Sequence, residues 1–138
     1  MALDDFALLA KLLDLDVETH KIVKKFERSE KHVLSADIRH TVAEIEHRII
    51  RAAKEQLEER RLRTAPERTK ELLRRADVDL EYMKLQIRKA YALRLINEDC
   101  YGQWSARVLE VGRMLGAWIK QVDAAVDKAR PRVQGRLG

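Results

Sequence analysis

The sequence predicts an all-α protein, an antiparallel up-down bundle of four helices. Charged residues make up 37% of the 138-residue chain and aromatic residues only 5%, a composition that favours long helices over sheets. Because the chain has only two prolines and five glycines, most of it contains no helix breaker. Apolar residues recur at spacings of three and four in four segments separated by short polar breaks. Amphipathic helices joined by short loops pack as an up-down bundle.

Helices one and two are predicted from their apolar stripes. Helix one is expected over about residues 3–26. Helix two is expected to begin between Ser29 and Ser35, with Ser29 as a candidate cap, and to run to about Arg61. The predicted core positions are Phe6, Leu9, Leu12, Leu13, Val17, Ile22, Val23 and Phe26 in helix one, and Leu34, Ile38, Val42, Ile45, Ile49, Ala53 and Leu57 in helix two.

Helices three and four carry clearer end signals. Pro66 suits the first position of helix three, which is expected to end near Ile96, and Asn97 is a natural N-cap for helix four. Helix four is expected to fade after Ala129. One bundle domain over residues 1–129 and a mobile basic tail over 130–138 are therefore predicted. The predicted core positions are Leu73, Ala76, Leu80, Met83, Ile87, Ala90 and Tyr91 in helix three, and Trp104, Val108, Val111, Leu115, Trp118, Ile119 and Val122 in helix four.

The helices carry more apolar residues than one bundle can bury. A bundle covers one face of each helix, so a surplus indicates a second buried surface, and self-association is the expected explanation. The alternative is that isolated exposed Leu and Ile residues are normal on soluble proteins. The surplus residues are Ile50, Leu62, Leu72, Val78, Tyr82, Leu85, Leu93 and Leu95.

Composition also bears on location and partners. No apolar run approaches the roughly 20 residues that span a bilayer, and the acidic N-terminal segment lacks the features of a signal peptide. Cys100 is the only cysteine. A cytoplasmic protein with no membrane partner is therefore expected. The net charge of +5 favours acidic partners such as nucleic acid, although a charge of this size is ordinary for a soluble protein.

No pattern of catalytic or metal-binding residues stands out. Glu44 and His47 have the Glu-x-x-His spacing of di-iron bundles, but the chain has no second copy of that pair. The other histidines lack metal-ligand spacing, and there is no phosphate-binding glycine loop. Ferritin-like and nucleotide-binding adenosyltransferase bundles are therefore disfavoured. We expect no catalytic residue, no metal and no cofactor.

A basic cluster surrounds the predicted turn between helices two and three. The hairpin would bring these side chains to one end of the bundle, where they could contact phosphates without reading base sequence. Interspersed acids, Glu58, Glu59, Glu67 and Glu71, would weaken the positive field, and a solvated charged face is the alternative. The candidate nucleic-acid-binding residues are Arg60, Arg61, Arg63, Arg68, Lys70, Arg74 and Arg75.

Two glycines interrupt the helical pattern of the segment VLEVGRMLGAWIKQV. Gly112 and Gly116 are four residues apart and so lie on one helix face. They form a flat stripe that would let another helix come close, beside Arg113 and the bulky Trp118. These four residues are predicted to serve helix packing or a subunit interface.

Three segments resemble one protein family. They are KFERSEKHVLSADIR (25–39), LLRRADVDLEYMKLQIRKAYALRLI (72–96) and VLEVGRMLGAWIK (108–120). They resemble the accessory variability determinant (Avd) proteins of diversity-generating retroelements and, more distantly, the four-helix-bundle proteins encoded in ribosomal-RNA intervening sequences. Glu27 departs from the family pattern, which usually has proline there and thus a more rigid turn.

The resemblance implies both an assembly and a function. Avd-like proteins are four-helix bundles that assemble into a pentameric, barrel-shaped ring with a basic surface. They bind a reverse transcriptase and nucleic acid, support mutagenic copying of template RNA and retrohoming of the cDNA, and have no catalytic residues. The alternative is a protein of the intervening-sequence type, with the same fold, an unknown function and no reverse transcriptase partner.

Overall fold

A computed structural model describes residues 6–26 and 33–130, and within these ranges every regular element is an α-helix. The helices are α1 (Ala7–Val23), α2 (Leu34–Leu62), α3 (Glu67–Ala92) and α4 (Glu98–Ala129). The all-α prediction is confirmed. None of the described helices is both long enough and apolar enough to cross a membrane.

The helices form a square in which sequence neighbours lie side by side. α1 packs against α2 and α4, and α3 packs against the same two helices. Hydrogen bonds join the end of one helix to the start of its neighbour, as expected for antiparallel packing. Glu59 of α2 bonds Thr69 of α3, and Thr19 of α1 meets Trp104 of α4. The up-down bundle predicted for a single chain is therefore present.

All four helices contribute to one core. Leu12, Ile45, Leu73 and Trp104, one from each helix, have no solvent exposure. Burying an aliphatic side chain of this size stabilises the fold by roughly 1.5–3 kcal/mol. The indole N–H of Trp104 still finds a partner in the core, because it donates to Thr19 Oγ1 at 3.0 Å.

The ends of the helices agree only partly with the sequence signals. Asn97 is the N-cap of α4 as predicted, and its side chain accepts from the Cys100 N–H at 2.8 Å. By contrast α3 ends at Ala92 and not near residue 96, because Arg94 adopts the left-handed conformation with φ of 60°. Pro66 lies one position before the helix that it was predicted to begin. The candidate cap Ser29 and the tail residues 131–138 lie outside the described residues.

The predicted stripe of α1 is wrong at two positions. Leu13 and Val17 were expected in the core but are 57% and 47% exposed. The helix instead buries a neighbouring stripe with the same spacing, which includes Leu8, Leu15 and Thr19. The structure also corrects three other positions: Leu57 and Tyr91 are exposed, and Leu72 is buried.

Candidate nucleic-acid interface

The basic cluster surrounds a tight hairpin between α2 and α3. Arg63 ends α2 in the left-handed conformation, with φ of 58°, and its N–H donates to the Arg60 carbonyl at 3.2 Å. The Thr64 N–H donates to the Glu59 carbonyl at 3.0 Å. Because only four residues separate α2 from α3, Arg60, Arg63 and Arg68 all lie around the turn.

Four of the seven candidate bases are held by acids. Arg75 pairs with Glu71 at 2.7 Å, and Arg61 donates to Glu58 through Nε at 3.1 Å. Asp123 of α4 pairs with two of the bases. Its carboxylate lies 2.6 Å from Arg74 and 3.7 Å from Lys70. A phosphate would have to compete with these carboxylates. These ion pairs lie at the surface and offset much of the cluster's charge, as expected for a solvated charged surface.

The other three candidates have no acidic partner within residues 6–26 and 33–130. Arg60, Arg63 and Arg68 are all exposed. Arg60 and Arg63 border a groove of about 360 Å³ between the hairpin and the end of α4, and Arg68 borders a second groove of about 350 Å³ together with Arg51. A guanidinium group that is not already paired can donate two hydrogen bonds to a phosphate. Three of the seven candidate residues are therefore available to a ligand, and the other four are already paired with acids.

Glu59 has a role that the sequence did not reveal. It was expected to weaken the positive field of the cluster, but its side chain is buried and points at the start of α3. Its carboxylate accepts from the backbone N–H groups of Arg68 and Thr69, each at 3.1 Å, and from the Thr69 hydroxyl. Glu59 therefore caps the following helix, and the first turn of α3 compensates its charge.

The glycine stripe is not used for close helix packing inside the described part of the chain. A Cβ atom at Gly112 would lie 3.4 Å from the Leu80 side chain, and one at Gly116 would have no atom within 4 Å. Arg113 is exposed, and Glu110, a candidate partner for it, pairs with Lys11 at 3.3 Å. A contact of the stripe with another copy stays a prediction.

Trp118 lies inside the bundle. Its ring packs edge-on against Phe6, with the ring centroids 4.9 Å apart, and its indole N–H donates to Gln56 Oε1 at 3.2 Å. Trp118 of α4 therefore contacts both Gln56 of α2 and Phe6, the residue just before α1. Trp118 was one of four residues predicted to serve helix packing or a subunit interface, and its contacts here are packing contacts within the chain.

Comparison with known families tests the resemblance. A family model described as bAvd-like matches residues 7–122. The chain belongs to the bAvd-like family. The match covers α1, α2 and α3 and all but the last two turns of α4, and it includes both arms of the basic hairpin. No curated protein matches the chain.

The titratable side chains of this bAvd-like protein do not form a reactive cluster in the described ranges. Glu44 pairs with Arg48 at 3.1 Å and lies 3.9 Å from His40, while His47 is exposed. Residues 6–26 and 33–130 contain no group of three His, Cys, Asp or Glu side chains placed to hold a metal ion. Burial raises the pKa of the Cys100 thiol, which makes the nucleophilic thiolate scarcer.

One carboxyl group in the bAvd-like bundle has a strongly altered pKa that the sequence did not suggest. Glu46 of α2 approaches Asp16 of α1. Partial burial, then the hydrogen bond to Asp16 and its charge, raise the pKa of Glu46 from 4.5 to about 7. The two carboxyls are 30 positions apart in sequence, so no local motif joins them. The pair spans the α1–α2 interface.

Proposed function

We propose that this bAvd-like protein is a non-catalytic accessory protein of a diversity-generating retroelement. In this proposal it binds the element's reverse transcriptase together with template RNA or cDNA, and supports mutagenic copying and retrohoming in the cytoplasm. The observation that carries the proposal is the family match over residues 7–122. That match includes the hairpin with its three available arginines.

The nucleic-acid part of the proposal rests on Arg60, Arg63 and Arg68. Their guanidinium groups are exposed at the α2–α3 hairpin and have no acidic partner among the described residues. Binding phosphates there would release counterions, so the affinity should fall steeply as the salt concentration rises. Neither groove at the hairpin is lined by an aromatic side chain. We therefore expect contacts to the backbone of the nucleic acid, without base stacking.

The proposed assembly is a homopentamer in the form of a ring. It is supported by large apolar side chains that the folded chain leaves exposed, among them Leu13, Val78, Leu85 and Leu109 at 55–67%. Exposed apolar area of this kind is common where proteins associate. Gly116 adds a position on α4 that another chain could approach closely.

Three measurements test this proposal. Multi-angle light scattering of the purified protein should give about five times 16.1 kDa. Fluorescence anisotropy with labelled RNA, repeated at increasing KCl, should show salt-sensitive binding, and the reverse transcriptase encoded nearby should co-purify. A monomer without salt-sensitive RNA binding would contradict the proposal. A genome without a neighbouring reverse transcriptase gene would favour the intervening-sequence type of bundle.

A further inference from the structure

Two opposite sides of the bundle are candidate contact surfaces. α1 and α2 pack side by side on one side of the square, and α3 and α4 pack side by side on the opposite side. Both sides carry large exposed apolar residues. Their shapes and charges differ, and the difference indicates how two copies would meet.

The α3–α4 surface is concave. A groove of about 360 Å³ runs between the two helices, and Leu85 and Leu109, which are 61% and 55% exposed, line it. Arg88 also lines the groove and has no acidic partner in the described part of the chain, whereas Lys84 is paired with Glu81 at 2.7 Å. The groove therefore offers apolar walls and an available positive charge.

The α1–α2 surface carries exposed apolar side chains with an acid beside them. Leu13 and Val17 are four residues apart on α1 and form an exposed apolar ridge, which we call the α1 ridge. Ile50 of α2, which is 37% exposed, lies one helical turn after Glu46, the residue that meets Asp16 of α1. Asp14 lies beside the ridge, is exposed and has no basic partner among the described residues, whereas Asp16 lies 3.6 Å from His20. The ridge therefore offers apolar side chains with one available negative charge, that of Asp14, beside them.

We infer that the α1 ridge of one copy docks into the α3–α4 groove of a second copy. Leu13 and Val17 then pack against Leu85 and Leu109, and Asp14 beside the ridge faces Arg88. The inference rests on the self-association in the proposed function and identifies the two surfaces that make it. It is supported by the exposed apolar side chains of both the ridge and the groove, and by the opposite charges of Asp14 and Arg88 beside them.

This contact uses a different surface on each partner. Every copy then has one surface still unoccupied after a single docking event, so copies add head to tail. Such a contact forms a closed ring when the rotation between copies closes, and an open filament when it does not. A symmetric dimer, in which both partners use the same surface, is a different arrangement and is distinguished by the test below.

A mixing experiment tests the docking. Leu13→Glu places a charge on the ridge and Leu109→Glu places one in the groove, and both sites are exposed, so the fold should be retained. Each variant alone should be a monomer of about 16.1 kDa. In an equimolar mixture, the intact groove of one variant accepts the intact ridge of the other. The mixture should therefore contain a dimer of about twice 16.1 kDa and nothing larger.

A control substitution and the contrary outcomes complete the test of the docking. Val33→Glu changes another exposed apolar residue, 72% exposed just before α2 and part of neither the ridge nor the groove, and should keep the mass of the unmodified protein. If Leu13→Glu leaves the mass unchanged while Leu109→Glu gives a monomer, the groove pairs with itself and the inference is wrong. It is also wrong if both variants keep the original mass, although the proposed assembly would then stand. A monomeric unmodified protein would overturn both.

Discussion

Glu59 shows how one side chain can connect two helices. Its carboxylate is buried at the end of α2 and accepts three hydrogen bonds from the first turn of α3. The hairpin is thus held by an acid in the middle of a basic cluster. Glu58, the residue beside it, is exposed and bonds only Arg61 in the described structure. The two adjacent glutamates therefore provide a matched pair for mutation.

We expect Glu59→Ala to destabilise the protein by about 2–3 kcal/mol, because the buried N–H groups of Arg68 and Thr69 lose their acceptor. Glu58→Ala should change the free energy of unfolding far less, because Glu58 is fully exposed and its ion pair with Arg61 is screened by water. Urea unfolding followed by circular dichroism measures both. Equal effects of the two substitutions would show that the cap contributes little to stability.

The contact between Glu46 and Asp16 makes stability depend on pH. The pKa of Glu46 is about 7 in the folded protein and 4.5 is its ordinary value. Between these two pH values the folded protein holds a proton that the unfolded chain has released. The free energy of unfolding should therefore fall as the pH rises from about 4.5 to about 7. His20 lies 3.6 Å from Asp16, so a substitution at Glu46 is needed to separate the two contributions.

We expect Glu46→Gln to remove this slope. The amide is neutral at every pH and can donate a hydrogen bond to Asp16, as protonated Glu46 does. Because Glu46 is partly exposed, the gain at pH 8 should be only about 1 kcal/mol. Thermal unfolding at pH 5, 6, 7 and 8 measures the slope, and Glu55→Gln on the same helix is the control. A slope that persists in Glu46→Gln would mean that other groups cause the pH dependence.

At the scale of the element, α1 is attached to the bundle through the two tryptophans. Trp104 of α4 donates to Thr19, and Trp118 packs against Phe6 just before the helix. These are the only two tryptophans of the chain. Tryptophan fluorescence should therefore report the docking of α1 at both ends of the helix.

Thr19→Val tests that attachment. Valine has nearly the shape of threonine but cannot accept the hydrogen bond, so the buried Trp104 N–H would lack a partner at a cost of about 1–3 kcal/mol. Thr19→Ser keeps the hydroxyl and is the matched control. Urea unfolding followed by fluorescence should show the valine variant to be the less stable of the two. The opposite order would mean that the methyl group of Thr19 matters more than its hydroxyl.

Comparison of the helices shows which features can be read from sequence. The cap at Asn97 was predictable because the side chain and the N–H that it accepts from are three residues apart. The buried face of α1 could not be predicted from the sequence, because Leu9, Leu13 and Val17 repeat at the same spacing as the stripe that is buried. The contacts that decide between the two stripes come from α4, about 85 residues away along the chain.

The basic cluster shows the same division between local and long-range information. All seven basic positions were visible in the sequence, but their partners were not. Arg74 and Asp123 are 49 residues apart and meet only because α3 and α4 pack side by side. Ion pairs of this kind decide which arginines remain available to a ligand. The positions of candidate charges can thus be predicted locally, whereas their availability depends on the whole fold.

At the scale of the whole molecule, two sets of arginines carry equal charge in different surroundings. Arg60, Arg63 and Arg68 have no acidic partner in the described ranges, and we refer to them as the available set. The paired set contains Arg61, Arg74 and Arg75, each bonded to a carboxylate. Replacing either set with glutamine removes three positive charges. Any difference in RNA binding between the two triple variants must therefore come from the surroundings of the arginines and not from net charge.

We expect the available set to dominate binding. Replacing it should weaken RNA affinity at least tenfold and reduce the slope of log K against log salt by about 2, since each phosphate contact on single-stranded RNA contributes about 0.7. Replacing the paired set should have a much smaller effect, because those guanidinium groups would have to give up a carboxylate to reach a phosphate. Fluorescence anisotropy at several KCl concentrations measures both variants, with circular dichroism as the check on folding. Equal losses would mean that RNA responds only to the overall charge of the protein and that the hairpin is not a specific contact surface.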